Sequence, residues 1–87
     1  MSTMKTKQEL PKWFKGTIYD NGDTVANRFT GEEIELNNVE LSMYDFVMGA
    51  THMIEMGFYN DKILSEHRKG LQWFRVNNPT AYMVLLD

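Results

Sequence analysis

Eighty-seven residues make one domain, and a chain this short buries only about 60% of its unfolded surface, so its core must be efficient. Hydrophobic residues make up 43% of it, enough for one packed core, and the absence of cysteine excludes a disulfide staple and a thiolate metal site. The net charge of −3 is distributed in blocks: Met1 to Lys15 carries four lysines and one glutamate, Asp20 to Asp61 nine acids and one arginine, and Lys62 to Arg75 four basic residues and Glu66. Blocks of this kind are solvated faces by default, and they also steer partners.

Met1 to Lys12 is polar, has no apolar segment of the signal-peptide type, and reads as a flexible N-terminal arm. Residues 13–87 read as a single compact α+β domain. The longest uncharged apolar-rich stretch, Phe46 to Ile54, is far below the ~20 residues of a membrane span.

From Trp13 to Leu36 apolar residues mostly alternate. Asn21-Gly22 is a hairpin signal, because a type I′ turn needs positive φ at both central residues. Folding about it pairs Ile18 with Val25 and Phe14 with Phe29. One face then holds Phe14, Ile18, Val25 and Phe29, and the other holds Trp13, Lys15, Thr17, Tyr19, Ala26 and Arg28. Thr30-Gly31 reads as a second tight turn, which pairs Arg28 with Glu33, Ala26 with Glu35 and Val25 with Leu36. The prediction is a three-stranded antiparallel meander that needs a helix layer for stability.

The period changes at Leu36-Asn37-Asn38-Val39-Glu40-Leu41. Asn37 can cap a helix, Glu40 can complete a capping box, and Leu36 with Leu41 can form a hydrophobic staple. A helix over about 38–56 follows, ended by Gly57 in a left-handed conformation. Met43, Val47, Ala50 and Ile54 make its apolar stripe, and Gly49-Ala50 would allow a close approach. Asn60 or Asp61 caps a second helix to about Val76, with Ile63, Leu64, His67, Leu71 and Phe74 inward. Asn78-Pro79 then looks like a cap followed by proline in the first turn of a short third helix. Tyr82, Val84 and Leu86 also alternate, so a C-terminal strand is the alternative there.

No constellation carries chemistry. His52 with Glu55, and Glu66-His67, fall short of a two-metal bundle site by at least two carboxylates. Asp20-Asn21-Gly22-Asp23-Thr24 lacks the remaining ligands of a calcium loop. No phosphate-cradling loop and no nucleophile elbow occur. No catalytic residue, cofactor or metal is expected. The outer sheet face, with Trp13, Lys15, Thr17, Tyr19 and Arg28, has the composition of a protein interface. It is also that of a single-stranded nucleic-acid platform, although Glu33 and Glu35 on the same face oppose a polyanion. The competing expectation is that the N-terminal arm or the Tyr82–Leu86 segment covers it.

Taken together, Asn27-Arg28-Phe29-Thr30-Gly31-Glu32, Glu35-Leu36, Tyr44-Asp45-Phe46-Val47-Met48-Gly49-Ala50, Lys69-Gly70-Leu71-Gln72-Trp73-Phe74 and Asn78-Pro79-Thr80-Ala81-Tyr82 to Asp87 resemble a small protein family of tailed phages, notably those of marine cyanobacteria. The resemblance spans about residues 13–87. It implies a viral origin and action in the cytoplasm of an infected bacterial cell, and it carries no activity or site residue. The expected function is non-enzymatic binding of a host or phage protein, with homo-oligomerisation as a further form of association. A nucleic-acid partner ranks second, an enzyme third, and a membrane partner is not expected.

Overall fold

The computed structural model describes residues 8–86. Its order is β1 (Asp23–Ala26), β2 (Glu33–Leu36), α1 (Asn38–Glu55), α2 (Asp61–Asn77), α3 (Pro79–Ala81) and a π-helical turn, Tyr82–Leu86. The domain is α+β, with a two-stranded antiparallel sheet and a helical layer. Of the predicted arm, residues 1–7 lie outside the described residues. Residues 8–12 lie on the body: Leu10 packs at the core, and the Trp73 indole N–H donates to the Glu9 carbonyl at 3.1 Å.

The helix boundaries follow local chemistry. Asn37 Oδ1 accepts from the Glu40 N–H at 2.8 Å, and Glu40 Oε1 accepts from the Asn37 N–H at 3.0 Å, a complete capping box. Gly57, at φ 87°, ends α1 as predicted. Asn60 caps α2 through its side chain, with the Ile63 N–H donating to Oδ1 at 2.9 Å. Asn78 caps α3 in the same way through the Ala81 N–H at 3.0 Å, with Pro79 in the first turn. Tyr82–Leu86 is therefore helical, and the C-terminal strand does not form.

The expected third strand is not present: among the described residues only β1 and β2 pair. The Phe14 N–H bonds to the Pro11 carbonyl at 3.0 Å, turning the chain so that Trp13 and Phe14 pack on Phe46 of α1, with ring centroids 5.8 and 5.3 Å away. Further on, the Tyr19 N–H donates to Ser42 Oγ at 2.9 Å. The segment thus gains its partners from α1 instead of β1. Asn21-Gly22 is not a type I′ turn, because neither residue has positive φ. Gly22 serves a close approach instead: a Cβ there would collide with the Leu36 carbonyl oxygen.

The remaining hairpin also differs from expectation. Val25 pairs with Ile34 and Ala26 with Glu33, two residues away from the predicted register. A slip of two preserves the faces, so the alternation could not distinguish the registers. The longer loop is fixed by Asn27, whose Oδ1 accepts from the Phe29 and Thr30 N–H groups at 2.7 and 3.1 Å. Gly31 takes φ 81°. Arg28 therefore does not face Glu33.

Leu36, Met43, Val47, Phe74, Ala81 and Leu85 form the buried core, ringed by half-buried Phe14, Val25, Ile34 and Phe46. Two side chains expected there lie outside it: Ile18 is 68% exposed and Phe29 82%. Their expected places depended on the absent strand and the shorter loop, and Ala81 and Leu85 supply core volume from the C-terminal segment. The close approach of α1 and α2 occurs at Gly70, not at Gly49-Ala50. A Cβ on Gly70 would lie 2.6 Å from Val47 Cγ2, whereas one on Gly49 would meet nothing within 4 Å.

Candidate functional site

The five residues predicted to share an outer sheet face do not share one here. Trp13 is half-buried against Phe46, with the Lys69 ammonium 5.9 Å from its ring centroid. Lys15 and Thr17 are exposed on the chain that crosses α1. Tyr19 is held at the start of α1 through Ser42. Arg28 stands at the opposite end, 4.9 Å over the Phe29 ring and 3.7 Å from Glu55. Glu55 is thirteen residues beyond Ser42, about 20 Å along the helix. Without the first strand there is no pleat to bring these side chains to one surface.

The α1–α2 connection places a different set of residues in water. The Phe58 N–H donates to the Met53 carbonyl at 2.9 Å and the Gly57 N–H to the Ile54 carbonyl at 3.0 Å. This double closure is a Schellman motif, with Gly57 as the left-handed residue. The Asn60 cap fixes the other side of the loop. The backbone is thus bonded from both ends, yet it holds Phe58 62% exposed and Met53 42% exposed, with Met56, Tyr59 and Leu64 also exposed. The Arg28–Glu55 pair brings the β1–β2 loop, and with it Phe29, to the same end of α1. A group of exposed large apolar side chains on ordered backbone is a candidate interaction surface.

The sequence signal for this end is Met56-Gly57-Phe58-Tyr59-Asn60-Asp61. Turns favour Gly, Asn, Asp and Ser for conformational reasons, so two aromatics between Gly57 and Asn60 stand out. Strand alternation, which points to aromatics on a sheet, gives no weight to two in a turn.

Beside this end lies a groove of about 290 Å³ between the β1–β2 loop, α1, α2 and the C-terminal turn. Phe29, Tyr44, Met48 and Leu86 supply its apolar wall, with Arg28 and His67 as polar groups. Asn27 ties the loop to the C-terminal turn by donating from Nδ2 to the Val84 carbonyl at 2.8 Å. Burial pushes the Tyr44 phenol above its ordinary pKa, opposed by the Arg28 guanidinium. Burial pushes His67 below its ordinary pKa. The Thr51 hydroxyl donates to the Val47 carbonyl at 2.9 Å and lies 2.8 Å from His67 Nε2. The direction of the Thr51–His67 bond follows the imidazole tautomer. The pair is thus a bridge between α1 and α2.

No family model, curated protein or solved structure matches the chain.

Among the described residues no three His, Asp or Glu side chains converge on a metal-binding geometry. His52 is exposed and His67 is half-buried with its Thr51 partner. Among the described residues no helix is long and apolar enough to cross a membrane.

Proposed function

We propose that this protein is a non-enzymatic protein-binding module that docks through the apolar end formed by Phe29, Met53, Met56, Phe58 and Tyr59. The observation that carries the reading is ordered exposure: a Schellman closure and the Asn60 side-chain cap hold Phe58 and its neighbours in water. Burying a large aromatic side chain against a partner is worth about 2 kcal/mol, so two or three anchors on this end suffice for a specific complex. The phage resemblance supplies the setting: a host or phage protein as partner, met in the cytoplasm of an infected bacterial cell. A second copy of the chain is the other partner of this class.

The nucleic-acid reading through Trp13, Lys15, Tyr19 and Arg28 has less support, because those side chains are spread along α1 and stacking needs a continuous platform. Catalysis also has little support, since the groove's hydroxyl and imidazole are engaged in holding the two helices together.

The test is affinity capture from infected-cell lysate with and without nuclease, using the wild type, Phe58→Ser and Tyr59→Ser. Both substitutions are at exposed positions, so melting temperatures should stay near the wild-type value. A nuclease-resistant protein retained by the wild type and lost by either variant, or weakened by about 2 kcal/mol or more in direct binding, is the expected outcome. Sedimentation of the purified chain separates self-association from a foreign partner. Capture that is unaffected by both substitutions, or abolished by nuclease, removes the proposal.

A further inference from the structure

A second, chemically different surface lies one to three turns further along α2. The chain has only two tryptophans, and both line a single cleft of about 460 Å³ together with Pro11, Arg68, Lys69 and Gln72. Each indole is held from behind. Trp13 follows the turn closed by the Phe14–Pro11 bond and rests on Phe46. Trp73 donates its N–H to the Glu9 carbonyl and sets its ring edge-on to Phe74, with centroids 5.5 Å apart. Two rigid aromatic walls are a costly arrangement to leave half in water unless something uses them.

The rim of the cleft is cationic. Arg68 and Lys69 are exposed, as is Lys12 next to Trp13. The cleft lining contains no carboxylate side chain. Among the described residues, Arg68 and Lys69 make no ion pair. Gln72, a neutral donor and acceptor, stands four residues after Arg68 and three after Lys69, where a carboxylate could pair with either; Glu66, three residues before Lys69, makes no ion pair with it.

We infer that this cleft binds an acidic peptide segment, seating an apolar or proline side chain between the two indoles and its carboxylates on Arg68 and Lys69. Aromatic-lined grooves take extended, proline-bearing peptides because little conformational entropy remains to be lost. Guanidinium and ammonium groups at the rim select carboxylates over neutral side chains. The charge is too local for a polyanion: beyond the cleft the chain carries nine acids between Asp20 and Asp61 against one arginine. Among the described residues the cleft lining holds two cations, Arg68 and Lys69, fewer than the continuous basic track that strand binding uses. A short acidic peptide needs only the cleft. The inference does not depend on the apolar end, and either can fail without the other.

Intrinsic fluorescence reads the cleft directly, because every tryptophan in the protein lines it. The full chain is titrated with three synthetic probes: a peptide repeating Glu-Pro-Leu-Asp, the same peptide with Gln and Asn for Glu and Asp, and an oligothymidine of equal length. The expected result is a saturable change in emission with the acidic peptide and binding weaker by about tenfold or more with its amide counterpart. Joint Arg68→Glu and Lys69→Glu substitution should weaken the acidic peptide by at least that factor. A parallel Arg68→Gln, Lys69→Gln protein gives the same comparison with a gentler change of charge, should the reversal lower the melting temperature. No saturable change up to millimolar peptide, equal affinity for the neutral peptide, tighter binding of oligothymidine, or unchanged affinity in both substituted proteins overturns the inference.

Discussion

Glu40 is the residue whose removal should cost this fold most for its size. It is only 6% exposed, and among the described residues this carboxylate has no basic partner. Its Oε1 accepts from the Asn37 N–H at 3.0 Å, and its Oε2 accepts from Gln8 Nε2 at 2.9 Å and Asn78 Nδ2 at 3.0 Å. One side chain therefore joins the start of α1, the N-terminal segment and the α2–α3 joint. Glu40→Ala deletes three hydrogen bonds to a charged acceptor, nominally about 1.5–3 kcal/mol each. The Asn37 amide lies at an exposed residue and Gln8 is half-buried, so water recovers part of this. A net loss of about 3 kcal/mol is expected, a large fraction of the roughly 5–10 that a domain of this size holds. With a urea slope of about 1 kcal/mol/M, the unfolding midpoint should fall by about 3 M. Glu40→Gln should cost less, because one oxygen remains an acceptor while the new amide meets at least one donor. The decisive assay is a double-mutant cycle with Asn78→Ala. Asn78 also caps α3 through Oδ1, so its single substitution has a cost of its own that the cycle removes. A Glu40→Ala midpoint close to wild type, or no coupling to Asn78, would refute the view of Glu40 as a three-way tie.

Two glycines on facing helices should respond with opposite sign. Gly70→Ala forces a methyl against Val47 at 2.6 Å and should destabilise by about 1–3 kcal/mol, whereas Gly49→Ala enters open space and should stabilise α1 by about 0.5–1 kcal/mol; calorimetric melts of both that shift in the same direction would contradict the helix crossing. The lowered pKa of His67 means that the unfolded chain binds more protons than the folded one just below the ordinary imidazole value of 6.5. The stability it contributes is therefore complete above that pH and is lost as pH falls towards the folded-state pKa. Urea midpoints measured from pH 7 down to about 5 should fall more steeply for wild type than for His67→Gln, and parallel profiles would show that the imidazole is not desolvated.

What was legible in the sequence was local. The Asn37–Glu40 box, the left-handed Gly57, the Asn60 cap and Asn78-Pro79 each act over three or four residues, so the reading needs no knowledge of what lies elsewhere in the fold. The sheet was different. The alternation of Trp13 to Tyr19 states that one side of the segment is apolar, and α1 satisfies that for Phe14 while Ile18 stays in water. Gly22 was read for its φ freedom, whereas its lack of a Cβ admits the Leu36 carbonyl. The partners that complete Glu40 lie 32 and 38 residues away in the chain, beyond the reach of any capping rule. The outer-face residues were chosen on the assumption of a pleat, and with a different strand count Trp13, Tyr19 and Arg28 separate along α1.

The apolar end is where folding leaves surface unexplained. A Schellman closure requires a residue tolerant of positive φ, which Gly57 provides, and a cap for the next helix, which Asn60 provides. The motif often adds an apolar contact between the residue after glycine and the third residue from the helix end, here Phe58 and Met53. At 62% and 42% exposure these two leave most of that potential contact in water, and a leucine would satisfy the motif as well. Tyr59 has no part in it. The turn would close with polar residues at these positions, at no cost in backbone bonding and with a gain in solubility. The aromatic surface of Phe58 and Tyr59 is thus not accounted for by the backbone closure, and the docking role proposed for this end is what would account for it.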